Sequence, residues 1–213
     1  MSARPRDAAR SRAAILEAAE ALFAERGFRA TTLADIAAAA GLARATPSYF
    51  FGTKERLYEQ VLVGVQAARE AALRDAFAPV RAWAAEPGAD RTALRAAFAA
   101  AVAGYFAFLD AHPAFARLIG WEAQAGAERL QAVATHGTAV TDALRALHAV
   151  REERGLADFD PALASVALVS LCFLPIAHAA TFRAGGGIDT GARAFRGAYA
   201  DVVVDAAMGI VTG

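Results

Sequence analysis

Lys54 is the one lysine of the chain; every other basic residue is an arginine. It closes a segment, residues 32–54, that reads as a helix-turn-helix followed by the start of another helix. Ala37 is small where the first helix meets the second, and Gly41 tolerates a positive φ in the turn. Ile36, Ala40, Leu42 and Phe50 are the apolar pins between the two helices. An ammonium directly behind such a unit is placed to sit against a DNA phosphate. The chemistry expected here is therefore backbone neutralisation and groove reading rather than bond making.

The remaining constellations point away from catalysis. There is no nucleophile elbow, no phosphate-cradling glycine loop and no dinucleotide fingerprint; Gly185, Gly186 and Gly187 form a glycine run with no strand before it. No catalytic residues are assigned, and an enzyme is not expected. Of His112, His136, His148 and His178, only His148 has a possible ligand partner at helical spacing, Glu152. Two ligands do not make a zinc site, so no metal and no cofactor are expected. Cys172 stands alone, which excludes an intrachain disulfide and fits a reducing cytoplasm. Its apolar surroundings suggest a packed thiol rather than a nucleophile.

The elements that must position the 32–54 segment follow from composition. Apolar residues make up 57% of the 213, above the ~45–50% usual for soluble domains, and alanine supplies much of the excess. Proline is scarce and no long stretch alternates at period two. An all-α fold of about nine helices is expected. The charge is uneven: residues 1–56 hold nine Lys/Arg against six Asp/Glu, and the rest holds thirteen against sixteen. That asymmetry suits a nucleic-acid-facing N-terminal part joined to something else.

The helices are expected over 7–26, ended by Gly27; 33–40, opened by the Thr32/Asp35 capping pattern and ended by Gly41; 44–50; 54–77; 91–109; 113–124; 128–154; about 160–183, opened by Asp160-Pro161 and kinked at Pro175; and 189–211. Residues 162–180 carry no charge and are nearly long enough to span a bilayer. Ser165, Ser170, Pro175 and His178 interrupt them, so burial in protein is expected. The first residues show no apolar core at signal-peptide spacing.

With these residues in view, the N-terminal quarter resembles the TetR family of bacterial transcriptional regulators. The matching motifs run through residues 15–19, 22–28, 32–37, 41–42 and 49–55. The resemblance implies an N-terminal three-helix DNA-binding domain, residues 1–53, and a larger helical ligand-binding and dimerisation domain, residues 54–213. It implies a recognition helix carrying Arg44, Ala45, Thr46, Pro47, Ser48 and Tyr49. Arg44 is the candidate for base reading, because a guanidinium can bond guanine O6 and N7 together. Thr46, Ser48 and Tyr49 offer hydroxyls, Thr32 presents its helix N-terminus, and Lys54 adds its ammonium, all toward phosphates or base edges. Arg4, Arg6 and Arg10 would form a basic arm. The chain departs from the family pattern at Ala43, Pro47 and Ser48.

The same resemblance implies a pocket between effector helices and an interface built by the last two helices with those of a second copy. Pocket candidates are Trp83, Phe98, Tyr105, Phe108 and Leu118, together with Trp121, Glu122, Gln124, His136 and Phe173; each aromatic also fits plain core packing. Interface candidates are Ala164, Ala167, Gly197 and Ala200, whose small size allows close approach. The expected function is a ligand-responsive, homodimeric, cytoplasmic repressor released from a palindromic operator by a small, largely apolar molecule. A ligand-binding helical protein without DNA binding, or a membrane-associated one, is the alternative.

Overall fold

The computed structural model describes residues 3–133 and 138–213, with side chains from Arg6 onward. They form thirteen helical segments and no strand: α1 (Ala3–Ala30), α2 (Leu33–Ala39), α3 (Thr46–Phe51), α4 (Lys54–Ala76), α5 (Ala78–Ala85), α6 (Arg91–Ala111), α7 (Pro113–Gln124), α8 (Glu128–Val133), α9 (Ala139–Ala149), α10 (Arg151–Arg154), α11 (Pro161–Ala177), α12 (Ala179–Gly186) and α13 (Arg193–Thr212). They form two compact units. The first holds the described residues up to 67 and those from 113 to 133; the second holds 68–112 and 138–213. Helix α4 contributes its N-terminal part to the first unit and the remainder to the second.

The excess over nine segments has local causes. Residues 78–85, outside the expected helices, form α5, because Pro79 sits in its first turn, where a missing N–H costs nothing. The expected 128–154 helix is instead α8, α9 and α10; Val150 closes α9 with bonds from its N–H to Leu147 O and His148 O. The uncharged segment divides into α11 and α12, bent by 68°, three residues after Pro175. Gly185 and Gly186 belong to α12, and only Gly187 turns left-handed. The Asp160-Pro161 start is as expected: the Asp160 carboxylate accepts from Ala162 N (2.7 Å) and Leu163 N (3.1 Å).

In the first unit, Ile15, Ala19, Leu22 and Phe23 of α1 pack inward with Leu57, Tyr58, Val61 and Leu62 of α4 and Phe115 and Leu118 of α7. Each such fully buried side chain contributes roughly 1.5–3 kcal/mol. Phe23 meets Tyr58 edge-on at 4.7 Å. The Tyr58 hydroxyl donates to Glu122 Oε1 at 2.9 Å, and Glu122 Oε2 accepts from Leu130 N at 3.2 Å. A buried carboxylate is tolerable here because both oxygens have donors.

In the second unit, α6 buries one stripe, including Leu94, Phe98, Val102, Tyr105 and Leu109, among α5, α11 and α13. Gly104 permits close approach: a Cβ there would lie 2.9 Å from Ala76 Cβ. Glu70 crosses from α4 to start α9, its Oε1 accepting from Thr138 N (3.1 Å) and Ala139 N (2.9 Å). Arg95 pairs with Asp205 at 2.6 Å. His148 pairs with Asp158 at 3.0 Å, not with Glu152.

Burial raises the pKa of the Tyr58, Tyr105 and Tyr199 hydroxyls above the ordinary tyrosine value, and raises the Cys172 thiol to about 12. The folded state holds these protons more tightly than the unfolded one. The stability they contribute is therefore complete only below about pH 8.5, the ordinary thiol value, and is lost as pH rises through that value for Cys172 and through about 10 for the tyrosines. Alkaline titration followed by tyrosinate absorbance and circular dichroism together should show most of the phenolate signal arriving with unfolding. A full signal from all four tyrosines in a still-helical chain would contradict this.

Candidate nucleic-acid interface

The helix-turn-helix is built from short-range bonds. Thr32 Oγ1 accepts from Asp35 N (3.1 Å), and Asp35 Oδ2 accepts from Thr32 N (3.0 Å) and the Thr32 hydroxyl (2.6 Å). This reciprocal cap fixes the start of α2. The bonds from Thr32 hold the Asp35 carboxyl below its ordinary pKa. At the other end Gly41 N donates to Ala38 O (3.1 Å) and Leu42 N to Ala37 O (2.9 Å), with Gly41 at φ +67°. That pattern closes the helix and re-aims the chain toward α3. Ile36, Ala37 and Phe51 are buried beneath the turn.

Helix α3 begins at Thr46, so Arg44 and Ala45 lie in the turn before it, not within a helix over 44–50. Ala45 is the cap residue and offers no side-chain bond. Arg44 and Ser48 are exposed, Thr46 is half-buried, and Tyr49 is 84% exposed with its ring edge-on to Phe50. Arg44 has no ion pair or hydrogen bond to another described residue, so its guanidinium is free for a base or phosphate. Pro47, expected among the contacts, is instead buried in the first turn of α3.

Two other expected contacts have work inside the protein. The Thr32 hydroxyl is engaged by Asp35. Lys54 Nζ donates to Phe28 O and Thr31 O, both at 3.0 Å, and stands 4.3 Å from the Phe28 ring centroid. It thereby ties the start of α4 to the end of α1. Arg6 and Arg10 are exposed but ride on α1, which begins at Ala3, and Arg10 pairs with Asp7 at 3.3 Å. The arm is thus helical from the start, as its alanines favour. The Arg4 side chain lies outside the described residues. Sequence reading missed Arg12, whose guanidinium lies 5.0 Å from the Phe51 ring centroid and bonds Gln60 Oε1 at 3.2 Å. Only its i, i+3 and i+4 relation to Ile15 and Leu16 hinted at an edge of the packed face.

The expected pocket residues do not share one site. Phe98 and Tyr105 line a small apolar cavity in the second unit with Phe77, Val102, Leu168 and Cys172; its free space is about 10 Å³, near the size of one water. Trp83 lines a separate shallow groove and bonds Asp90 O at 2.8 Å. Phe108 is stacked between Tyr105 and His112. Phe173 is half-buried on α11. Leu118 is fully buried in the first unit, and Trp121, Glu122 and Gln124 also belong there, because α7 packs on α1. His136 lies outside the described residues. At the interface set, Ala164 is buried inside its own protomer and is unavailable to a partner. Ala167 and Ala200 are half-buried and Gly197 is exposed. The exposed stripe of α11 is Leu163, Val166, Ser170 and Leu174.

Two sequence profiles match the chain. One, of bacterial regulatory proteins of the tetR family, covers residues 15–61; the other, of the tetracyclin repressor-like C-terminal domain, covers residues 95–207. HTH-type transcriptional repressor KstR2 proteins from Mycobacterium tuberculosis and Rhodococcus jostii are 45% identical over 53 residues. That stretch is 25% of this chain, and the match spans about a quarter (26%) of those relatives' length. Among solved structures, a TetR family transcription regulator from Marinobacter aquaeolei VT8 superposes with a TM-score of 0.63 at 23% identity, covering 98% of each chain. The TetR family transcriptional regulator PfmR from Thermus thermophilus gives 0.60 at 23% identity, covering 90% of this chain and 97% of its own. These structural likenesses concern the fold. With its C-terminal profile covering more than half of the residues, the chain belongs to the TetR family of bacterial regulatory proteins.

Proposed function

We propose that the chain is a ligand-responsive DNA-binding transcriptional regulator, a homodimeric repressor that a small molecule releases from a palindromic operator. The observation that carries this reading is the free, exposed set Arg44, Ser48 and Tyr49, held at the mouth of α3 by a capped and closed α2. Family membership and the named repressor relatives favour it. Functionally, residues 1–53 read DNA and residues 54–213 sense the ligand and dimerise. Such a protein acts in the cytoplasm, where its operator lies.

Arg44 contacts base edges; Ser48, Tyr49 and Thr46 contact phosphates or sugars; Ala45 allows close approach. The effector enters beside Phe98, Tyr105 and Phe77 and widens a cavity that is now almost closed. Its lining selects a largely apolar molecule. Phe77 follows the last turn of α4 and Lys54 opens its first, so an effector favouring a widened cavity shifts the population of α4 positions and lowers operator affinity.

The test is enrichment of bound sequences from random duplex DNA, followed by gel-shift titration at fixed salt. Arg44→Ala is expected to weaken operator binding by about 1–3 kcal/mol, roughly 5- to 150-fold, and to relax preference at one base position in each half-site. Failure of the wild-type chain to enrich any sequence would refute the reading.

A further inference from the structure

The first unit contains a second cavity that the DNA-facing surface does not use, an open space of about 480 Å³ between the end of α1 and α7 and α8. That volume suits a small ligand, which occupies sites of roughly 300–1,000 Å³. One wall is Gly27, Phe28 and Arg29; the other is Trp121, Glu122 and Arg129. Gly27 takes φ +75°, and a Cβ there would lie 3.2 Å from the Trp121 ring, so the glycine lets the indole press against backbone. Trp121 Nε1 donates to Ala24 O at 3.2 Å, which fixes the ring while 39% of the residue stays exposed. The Arg129 guanidinium stands 4.2 Å from the Phe28 ring centroid.

The charges decide what fits. Glu122 is the buried acid of the cavity, and both its oxygens already accept, from Tyr58 and from Leu130 N. Arg26 pairs with Glu25 at 3.7 Å. Arg29 and Arg129 have no ion-pair partner among the described residues; Glu55 senses the Arg129 charge from beyond pairing distance. Glu128, exposed in the first turn of α8, is the remaining acid. The cavity therefore offers an immobilised aromatic face and two guanidinium groups outside any ion pair among the described residues, with Arg26, Arg29 and Arg129 outnumbering Glu122 and Glu128 in its lining.

We infer that this cavity binds a planar aromatic anion, its ring on Trp121 and its carboxylate, sulfonate or phosphate on Arg29 and Arg129. It is distinct from the apolar effector cavity of the second unit. Its wall is linked to the helix-turn-helix by bonds of the Thr31 hydroxyl to Gly27 O (2.9 Å) and of Lys54 to Phe28 O.

The probe is ortho-aminobenzoate, an energy acceptor for tryptophan, titrated into the full chain without DNA; ortho-aminobenzamide is its neutral counterpart. Saturable quenching by the anion is expected, with the amide at least about tenfold weaker. The Arg29→Gln/Arg129→Gln double variant should lose about tenfold or more in affinity for the anion. Trp121→Phe should remove most of the quenching, leaving only what Trp83 contributes as the remaining donor, while circular dichroism stays unchanged. Equal binding of anion and amide, an unaffected double variant, or quenching undiminished by Trp121→Phe would each overturn the assignment. No DNA enters the measurement, so its result is independent of whether the chain binds an operator.

Discussion

Replacing Lys54 by methionine is expected to lower the stability of the chain by about 2–4 kcal/mol, seen as a fall in the denaturant midpoint at constant slope. The ammonium donates to two carbonyls at 3.0 Å and stands over the Phe28 ring. Bonds from a charged donor contribute roughly 1.5–3 kcal/mol each, and a cation over an aromatic ring about 0.5–2. Partial exposure of the site brings the total below the sum of these terms. Methionine keeps most of the apolar stem and lacks only the terminal ammonium, so the loss isolates that group with its bonds. Salt dependence then separates two roles. If Lys54 also neutralises a phosphate, the slope of log affinity against log salt falls by about one in the variant. If it only ties α4 to α1, affinity drops while the slope is unchanged. A variant as stable as the parent, within about 0.5 kcal/mol, would remove the structural role.

Lys54 also shows where sequence reading stopped. Its position after the helix-turn-helix was legible, but its acceptors are backbone carbonyls 26 and 23 residues earlier. A carbonyl has no residue type, so no pattern announces such a bond. Signals confined to one turn were read well: the Thr32/Asp35 cap, the Gly41 turn and the Asp160-Pro161 start all depend on neighbours within six residues. Trp121 and Glu122 show the opposite limit. Periodicity shows that α7 has a buried face but not what covers it. That face meets α1, 97 residues away at the Trp121–Ala24 bond, so both residues left the expected effector pocket. On α11 even the face was illegible. An uncharged helix has almost no contrast between its sides: the buried Ala164 carries no mark that sets it apart from its exposed neighbours Leu163 and Val166.

That exposed stripe carries the other large expected effect. Leu163→Asp with Val166→Asp should convert the proposed dimer to a monomer at micromolar concentration, measured by sedimentation equilibrium. In the protomer Leu163 is 71% and Val166 65% exposed, and they continue along α11 to Ser170 and Leu174; Val202 lies exposed on α13. Covering each large apolar side chain is worth roughly 1.5–3 kcal/mol. A two-fold axis uses every such residue twice, so two substitutions remove four contacts and set four carboxylates close together. The protomer itself should keep its melting behaviour, because neither side chain is buried within it. Operator binding should fall by about 10²–10⁴-fold, since each half-site would then be held without the gain of linkage to the other. A double variant that still sediments as a dimer would place the interface elsewhere. One that becomes a monomer yet binds the full operator undiminished would show that dimerisation is not what joins the two half-sites.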